Sequence, residues 1–349
     1  METPPRILLV RLSSRGDILL VTPLLRALKQ RHPDAVIDFL TREKFADVLR
    51  HNRRIRRLHL FPKTRLGVLL RRGRLVACCR ELRAFLRELR RERYTHILDL
   101  HHVTDSALLA LAARGGMRIG HRSQLLTLFF SRRAAFPVAN RTAGDHAALL
   151  ALRMGEAAGL LAPPFPPARL QPDLHPGREA LRQARTFLLE HPGIPLHVCN
   201  PGASRRSKQW PEAHWIALGK KLLHGGGRIV VIGGPEDREA ADRICRALGK
   251  NAASAVGLPL LASFALLREA ALLVTTDSAA LHAGAACRVP LVALFGPSNP
   301  RKFAPPCGPV RILTAGCPQA PCSERMTRRC RRGCLGALTP ETVFAACQE

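Results

Sequence analysis

The chain has 349 residues, room for two domains of ordinary size, and its 46% apolar and 23% charged residues exclude a disordered, collagen-like or disulfide-stapled chain. No stretch reaches the roughly 18 consecutive apolar residues of a membrane-spanning helix; residues 1–14 carry only the run ILLV between arginines, too short for a secretory leader, so a soluble cytoplasmic protein is expected. Fifty-five basic against 26 acidic side chains leave a net charge of +29, with 32 basic and 13 acidic before residue 171, a field that draws polyanions.

Short apolar runs alternate with helical patterns along the chain, as in βα units building a mostly parallel sheet. Residues 6–12 (RILLVRL) read as a strand, followed by the loop SSRGD and a helix to about Arg31, where Pro23 is tolerable only in the first turns. Residues 35–40 and 97–100 read as further strands, the latter entering a helix near 105–113. The arginine-dense stretch 63–93 ends in a surface helix whose Leu82, Phe85, Leu86 and Leu89 form one buried stripe beneath a positive outer face. Residues 162–176 (APPFPPARLQPDLHP) read as a linker, placing lobes at 1–170 and 171–349. Beyond it, strands are expected at 196–199, 228–232, 271–274 and 290–295, and helices at 211–223, 239–248 and 278–286. In such α/β lobes ligands sit beyond the carboxyl ends of the strands.

A G-x-G-x-x-G after the first strand, a G-x-x-x-x-G-K-[ST] phosphate loop and a G-x-S-x-G elbow are all missing. Four strand-end clusters remain. In the loop after the first strand Asp17 can serve as a general base, although spacing alone favours a helix cap. Asn200-Pro201-Gly202-Ala203-Ser204 leads to Lys208, a residue type found only eight times in a chain with 47 arginines; hydroxyl, amides and ammonium there suit a phosphate. After RIVVI, Gly233-Gly234-Pro235-Glu236 offers close backbone approach and an acid suited to a ribose, though a plain turn explains it equally well. Thr275-Thr276-Asp277-Ser278 opens a helix of small residues carrying His282, whose free N–H groups face an anion; taken alone, His282 is as well explained as a core histidine.

Together these clusters resemble the glycosyltransferase family 9 heptosyltransferases, which build the inner core of bacterial lipopolysaccharide. The resemblance runs from RILLVRLSSRGDILLVTPLLRALKQRHPDAVIDFLT through HILDLHHVTDSALLALAARGGMRIGHR and the His146 segment. It is strongest in NPGASRRSKQWPEAHW, RIVVIGGPEDREAA and LLVTTDSAALHAGAACRVPLVALFGPSNP. It implies a GT-B fold, two Rossmann-like doubly wound α/β lobes facing a central cleft, the first binding the acceptor and the second the nucleotide sugar. A terminal helix can then pack back on the first lobe. It also implies inverting transfer of a heptose, with ADP-heptose as substrate and neither cofactor nor catalytic metal. Asp17 matches the family's base, Lys208 the lysine that neutralises the leaving diphosphate and Ser204 a neighbouring phosphate contact. Glu236 matches the acid near the ribose, and Asp277, Ser278 and His282 match the D-[ST]-G-x-x-H element.

The implied acceptor is an anionic lipid A–Kdo core at the cytoplasmic membrane face, where the helix of residues 80–93 can dock. One departure stands out: Ala279 replaces the family's glycine, and its methyl group crowds a phosphate approaching the backbone. No motif reports the adenine ring or the sugar hydroxyls, so another nucleotide sugar or acceptor is the first alternative, and a non-catalytic polyanion-binding protein the second. With aromatics at 5% and one Tyr, stacking platforms for nucleic acid are scarce, and no specific nucleic-acid partner is expected. The tail spacing C-x₄-C-x₇-C-x₃-C from Cys317 to Cys334 lacks the C-x₂-C pairs of strong zinc sites, which favours reduced thiols over a structural metal or labile disulfide.

Overall fold

Runs of leucine, isoleucine and valine with no exposed surface, such as Ile7, Leu8, Leu9 and Val10, can be satisfied only in strands covered on both faces, which is the demand of a parallel sheet. The computed structural model, which describes residues 3–135, 145–322, 330 and 333–349, contains two such sheets. Strands β1 (Arg6–Val10), β2 (Val36–Arg42), β3 (Arg57–Phe61), β4 (Tyr94–Asp99), β5 (Gly115–His121) and β6 (Arg132–Ala134) lie in the order β3-β2-β1-β4-β5-β6. Strands β7 (Leu196–Asn200), β8 (Arg228–Val231), β9 (Ala252–Ser254), β10 (Leu272–Thr276), β11 (Leu291–Phe295) and β12 (Val310–Thr314) repeat that order as β12-β11-β10-β7-β8-β9. Every ladder pairing is parallel, so each sheet is doubly wound and reverses direction once, between β1 and β4 or between β7 and β10. This is the α/β architecture of Rossmann-like lobes.

The chain divides into two compact units. One holds the described residues up to 135 and then Ala147–Leu170; the other holds Asp145, His146 and the described residues from Gln171 onward. The proline-rich stretch is anchored on the first side of that boundary, where Arg26 Nη2 donates to the Arg169 carbonyl at 3.1 Å. Gln171 Nε2, one residue past it, donates to the Ala285 carbonyl in the second unit.

Pro23 does more than sit in an early turn. The expected single helix is two, α1 (Arg15–Leu19) and α2 (Thr22–Arg31), with Pro23 in the first turn of α2, where its missing N–H costs no internal bond. The arginine-rich stretch is a hairpin of α3 (Lys63–Arg71) and α4 (Leu75–Leu89). Its stripe is present: Leu89 is buried, Phe85 and Leu86 pack on the same cluster, and Phe85 meets Phe61 with ring centroids 5.3 Å apart. The remaining main helices are α5 (Thr104–Ala112), α6 (Ala147–Ala157), α7 (Arg178–Glu190), α8 (Glu212–His224), α9 (Arg238–Leu248), α10 (Leu260–Ala265) and α11 (Ala279–Cys287).

The terminal helix, Pro340–Gln348, packs within its own unit. Val343 is fully buried in the cluster containing Leu218 and Leu222 of α8, and Lys221 pairs with Glu341 at 3.2 Å. Trp210 Nε1 donates to the Leu338 carbonyl at 2.8 Å and fastens the segment leading into the helix. Val343, Phe344 and Cys347 lie on one side of this short helix and are taken up by that apolar cluster. Among the described residues no helix is long and apolar enough to cross a membrane.

Candidate active site

At the first sheet's reversal, the loops after β1 and β4 lie side by side because the two strands are neighbours in register. Arg11, just past β1, reaches across both: Nε donates to the Ser13 carbonyl at 2.9 Å, Nη1 to the Leu100 carbonyl, and Nη2 lies 3.1 Å from Asp17 Oδ1. The other oxygen of Asp17 accepts from Ser14 N and Ser14 Oγ, both at 2.9 Å. Asp17 is therefore not the N-cap itself, which is Ser14, but its partner in a capping box, and its side chain keeps 28% exposure at the carboxyl end of the sheet. The capping bonds fix its rotamer, and a fixed, partly exposed carboxylate is what a general base needs.

His101, on the loop after β4, completes this end. Its Nε2 lies 3.2 Å from Ser13 Oγ. Burial, reinforced by Arg11, pushes the imidazole pKa down to about 4, so it is neutral at physiological pH. Beneath it the buried Asp99 accepts the His101 N–H and the Ser106 hydroxyl, both at 3.0 Å, and shapes the turn.

At the second reversal, Asn200 closes β7 and ties the two neighbouring loops together. Its Nδ2 lies 3.2 Å from the Gly202 carbonyl, 3.1 Å from Thr275 Oγ1 and 2.9 Å from Ser278 Oγ. Ser278 caps α11 by accepting from Ala280 N at 3.3 Å. Lys208, on a 3₁₀ turn, donates to Asp277 Oδ2 at 2.6 Å, with side-chain exposures of 19% and 8%. Thus Lys208, Asp277 and Ser278, 70 residues apart in sequence, form one charged cluster at the start of a helix, where backbone N–H groups also point.

The other expected residues lie around this cluster. Ser204 is exposed on the loop after β7 and Glu236 is exposed after β8. The neighbour of Glu236 is the more constrained acid: Asp237 Oδ2 accepts from Gly234 N at 2.8 Å. Burial raises the Asp237 pKa, the Gly234 N–H pulls it down and Glu236 adds to the rise. His282 is buried in α11 and lies close enough to the buried His146 to help burial push the latter's pKa down to about 4. Ala279 opens α11 and is half-buried.

Arg11, His101, Asn200 and Asp237 carried no role in the sequence reading. The strand order would have found three of them, because the reversal point brings the ends of β1 and β4, and of β7 and β10, together. Asp237 also explains Gly202. A Cβ there would lie 2.1 Å from Asp237 Oδ2. Gly202→Ala is therefore expected to break the Asp237–Gly234 bond and destabilise the second unit by about 1–3 kcal/mol, seen as a lower denaturant midpoint at unchanged m.

None of the eleven cysteines forms a disulfide in this structure, and among the described residues no three His, Cys, Asp or Glu side chains form a metal-holding group. Burial raises the Cys334 thiol pKa, and Cys317, Cys330 and Cys322 add to it. Residues 323–329 and 331–332 of the cysteine-rich tail lie outside the described residues.

Both the architecture and the sequence have known counterparts. Over its full length the chain superposes on a family 9 glycosyltransferase from Veillonella parvula, covering 98% of that chain, with a TM-score of 0.80 at 24% identity. It superposes with a TM-score of 0.76 at 23% identity on the E. coli heptosyltransferase WaaC with ADP, covering 98% of this chain and 99% of the other. Such likeness fixes the fold as GT-B. In sequence it is 30% identical to lipopolysaccharide heptosyltransferase 1 of Pseudomonas aeruginosa, across 92% of this chain and 86% of that one. It is 29% identical to lipopolysaccharide heptosyltransferase 2 of Salmonella typhimurium, across 86% and 85%. A family model for glycosyltransferase family 9 (heptosyltransferase) matches residues 82–334. The strand-end carboxylate and the Lys208 cluster thus sit in an enzyme: this chain is a glycosyltransferase and belongs to family 9, the heptosyltransferases.

Proposed function

We propose that this enzyme transfers a heptose from ADP-heptose to the lipid A–Kdo inner core of lipopolysaccharide at the cytoplasmic membrane face, inverting the anomeric carbon without a catalytic metal. The first unit binds the acceptor and the second the nucleotide sugar. The observation that carries this reading is the Lys208–Asp277 pair beside the capped start of α11. A cation held at a helix N-terminus meets the charge that grows on a departing diphosphate, and so stabilises the transition state more than the ground state. Ser204 and Ser278 supply hydroxyl donors, Glu236 takes the ribose and His282 supports the helix from inside.

In the first unit, Asp17 takes the proton from an acceptor hydroxyl as that oxygen attacks the anomeric carbon. The anomeric carbon–diphosphate bond breaks as the new glycosidic bond forms, and ADP leaves. Arg11 holds the carboxylate aimed, and the neutral His101 beside Ser13 leaves Asp17 as the group that accepts the proton.

Calorimetric titration with ADP, ADP-heptose and UDP tests the reading. ADP and ADP-heptose are expected to bind and UDP to bind weakly. Lys208→Ala should weaken ADP by about 10- to 100-fold. Part of that loss comes from leaving Asp277 uncompensated beside the diphosphate, so Lys208→Ala/Asp277→Asn should recover some affinity. Ala279→Gly removes the methyl group next to the phosphates and is expected to tighten ADP modestly. Strong, salt-sensitive DNA binding with no response to any nucleotide would instead identify a polyanion-binding protein.

A further inference from the structure

The hairpin of α3 and α4 ends in a feature that the transfer chemistry does not use. Leu70 is 54% exposed, Leu75 60% and Val76 84%, and between them stand the exposed Arg71, Arg72 and Arg74. Such a loss of apolar burial at one point is unusual for a water-facing turn. Lower on the hairpin Arg65 pairs with Glu81, and Glu88 near its base takes Arg57 of β3 and Arg91, while among the described residues no acid pairs with the exposed Arg80, Arg83 and Arg87, so the positive face runs from the tip down α4. Among the described residues no acid pairs with Arg71, Arg72 or Arg74. Three aliphatic side chains framed by three unmatched guanidinium groups match neither water nor a folded neighbour of similar charge.

The hairpin's direction follows from its contacts. The Arg65–Glu81 pair and the bond from Cys78 Sγ to the Leu66 carbonyl at 3.9 Å make α3 and α4 antiparallel. The base of α3 is held at the carboxyl side of the first sheet, where Lys63 pairs with Asp105 at the start of α5. Nine residues of α3 then carry the chain outward by about 13 Å at 1.5 Å per residue. The tip thus projects on the side of the sheet that bears Asp17.

We infer that this tip docks the enzyme on an anionic lipid bilayer, with Leu70, Leu75 and Val76 entering the headgroup boundary and Arg71, Arg72 and Arg74 pairing with lipid phosphates. Charge complementarity selects the bilayer. A leaflet of acidic lipids supplies both an anionic plane and an apolar layer beneath it. Single-stranded nucleic acid would call for aromatic stacking residues, and the tip has none. With few apolar side chains to insert, the arginines dominate, so docking is reversible and weakens as salt shortens the Debye length. This deepens the membrane-face part of the reading above but requires no sugar transfer.

The test is co-sedimentation of the full chain with sucrose-loaded vesicles of phosphatidylethanolamine and phosphatidylglycerol, or of phosphatidylcholine alone. Neither contains a glycolipid, so the result stands apart from the choice of sugar donor and acceptor. The wild type is expected to sediment with the acidic vesicles and remain in solution with the neutral ones. Arg71→Ala/Arg72→Ala/Arg74→Ala should lower partitioning by about 100-fold, and Leu75→Ser/Val76→Ser by about 10-fold. The control Arg31→Ala/Arg50→Ala/Arg53→Ala removes the same charge from other exposed positions of the first unit and should cost less than about threefold, consistent with the short reach of the surface field. Equal loss in the control, unchanged partitioning in both tip variants, or equal wild-type binding to neutral vesicles overturns the inference. All five side chains of the tip variants are exposed, so unaltered melting curves are expected and separate docking from folding.

Discussion

Asp17→Asn is expected to slow sugar transfer by about 10²- to 10⁴-fold, the range a positioned general base contributes, while leaving ADP affinity and thermal stability nearly unchanged. Asparagine keeps the size of the side chain, and its Oδ1 can still accept from Ser14 N, so the turn into α1 survives. What it cannot do is take a proton. The partner Arg11 loses its ion pair but retains the Ser13 and Leu100 carbonyls, so its guanidinium is not left stranded. Single-turnover transfer beside calorimetry of the same variant makes the comparison. A rate equal to wild type would remove Asp17 from its role as base and leave it a partner in the capping box.

The largest effect on stability is expected far from the site. Asp38 in β2 has no exposed surface, yet it accepts from Arg56 Nε at 3.0 Å, Arg56 Nη2 at 2.6 Å and the Tyr94 hydroxyl at 2.9 Å. His59 Nε2 lies 2.9 Å from that hydroxyl. Burial alone would raise the Asp38 pKa; the bonds from His59, Arg56 and Tyr94 outweigh it and hold the carboxyl well below the usual range. Asp38→Ala leaves the buried Tyr94 hydroxyl and the Arg56 guanidinium without their carboxylate acceptor, with His59 still against Tyr94, and should cost about 3 kcal/mol. Arg56 is 37% exposed and still pairs with Glu92 at 3.0 Å, which keeps the figure at the low end for a broken buried pair. The folded pKa lies below the unfolded one, so the stabilisation is complete above about pH 4 and drains away as pH falls further. The acid limb of a stability–pH curve should therefore flatten in Asp38→Ala, and a limb identical to wild type would refute the assignment.

The strands that the sequence reveals are those buried on both faces. RILLV and RIVV are continuous apolar runs, and both became central strands, β1 and β8. Strands with a mixed pattern escape that logic: the edge strands β3 (RLHLF) and β12 (VRILT) and the interior β5 (GGMRIGH) bring polar residues or glycine into the run and are paired through their backbones. At the site, charged residues in glycine-containing strand-end loops, Asp17 and Lys208, were legible because local chemistry marks them. Arg11 and His101 were not, because their meaning comes from the adjacency of β1 and β4, some 90 residues apart. The pairing of Lys208 with Asp277 was likewise invisible until β7 and β10 were seen as neighbours. The departure at Ala279 was readable from sequence alone, and the structure adds its half-buried place at the start of α11.

Helix α6 belongs to the first unit although it follows residues assigned to the second, and this has a consequence for the order in which the nascent chain can fold. The sheet β1–β6 is complete once residue 134 has been made. Its helical cover is not, because α2 packs on α6 and Leu24 sits where a Cβ on Gly155 would come within 2.9 Å. Until Ala147–Ala157 clears the ribosome, the outer side of α2 has no partner, and Met154, Leu152 and Ala148 reach zero exposure only after that point. Closure of the first unit during synthesis is thus delayed by the stretch of chain that precedes α6, a window in which its apolar flank is open to chaperones.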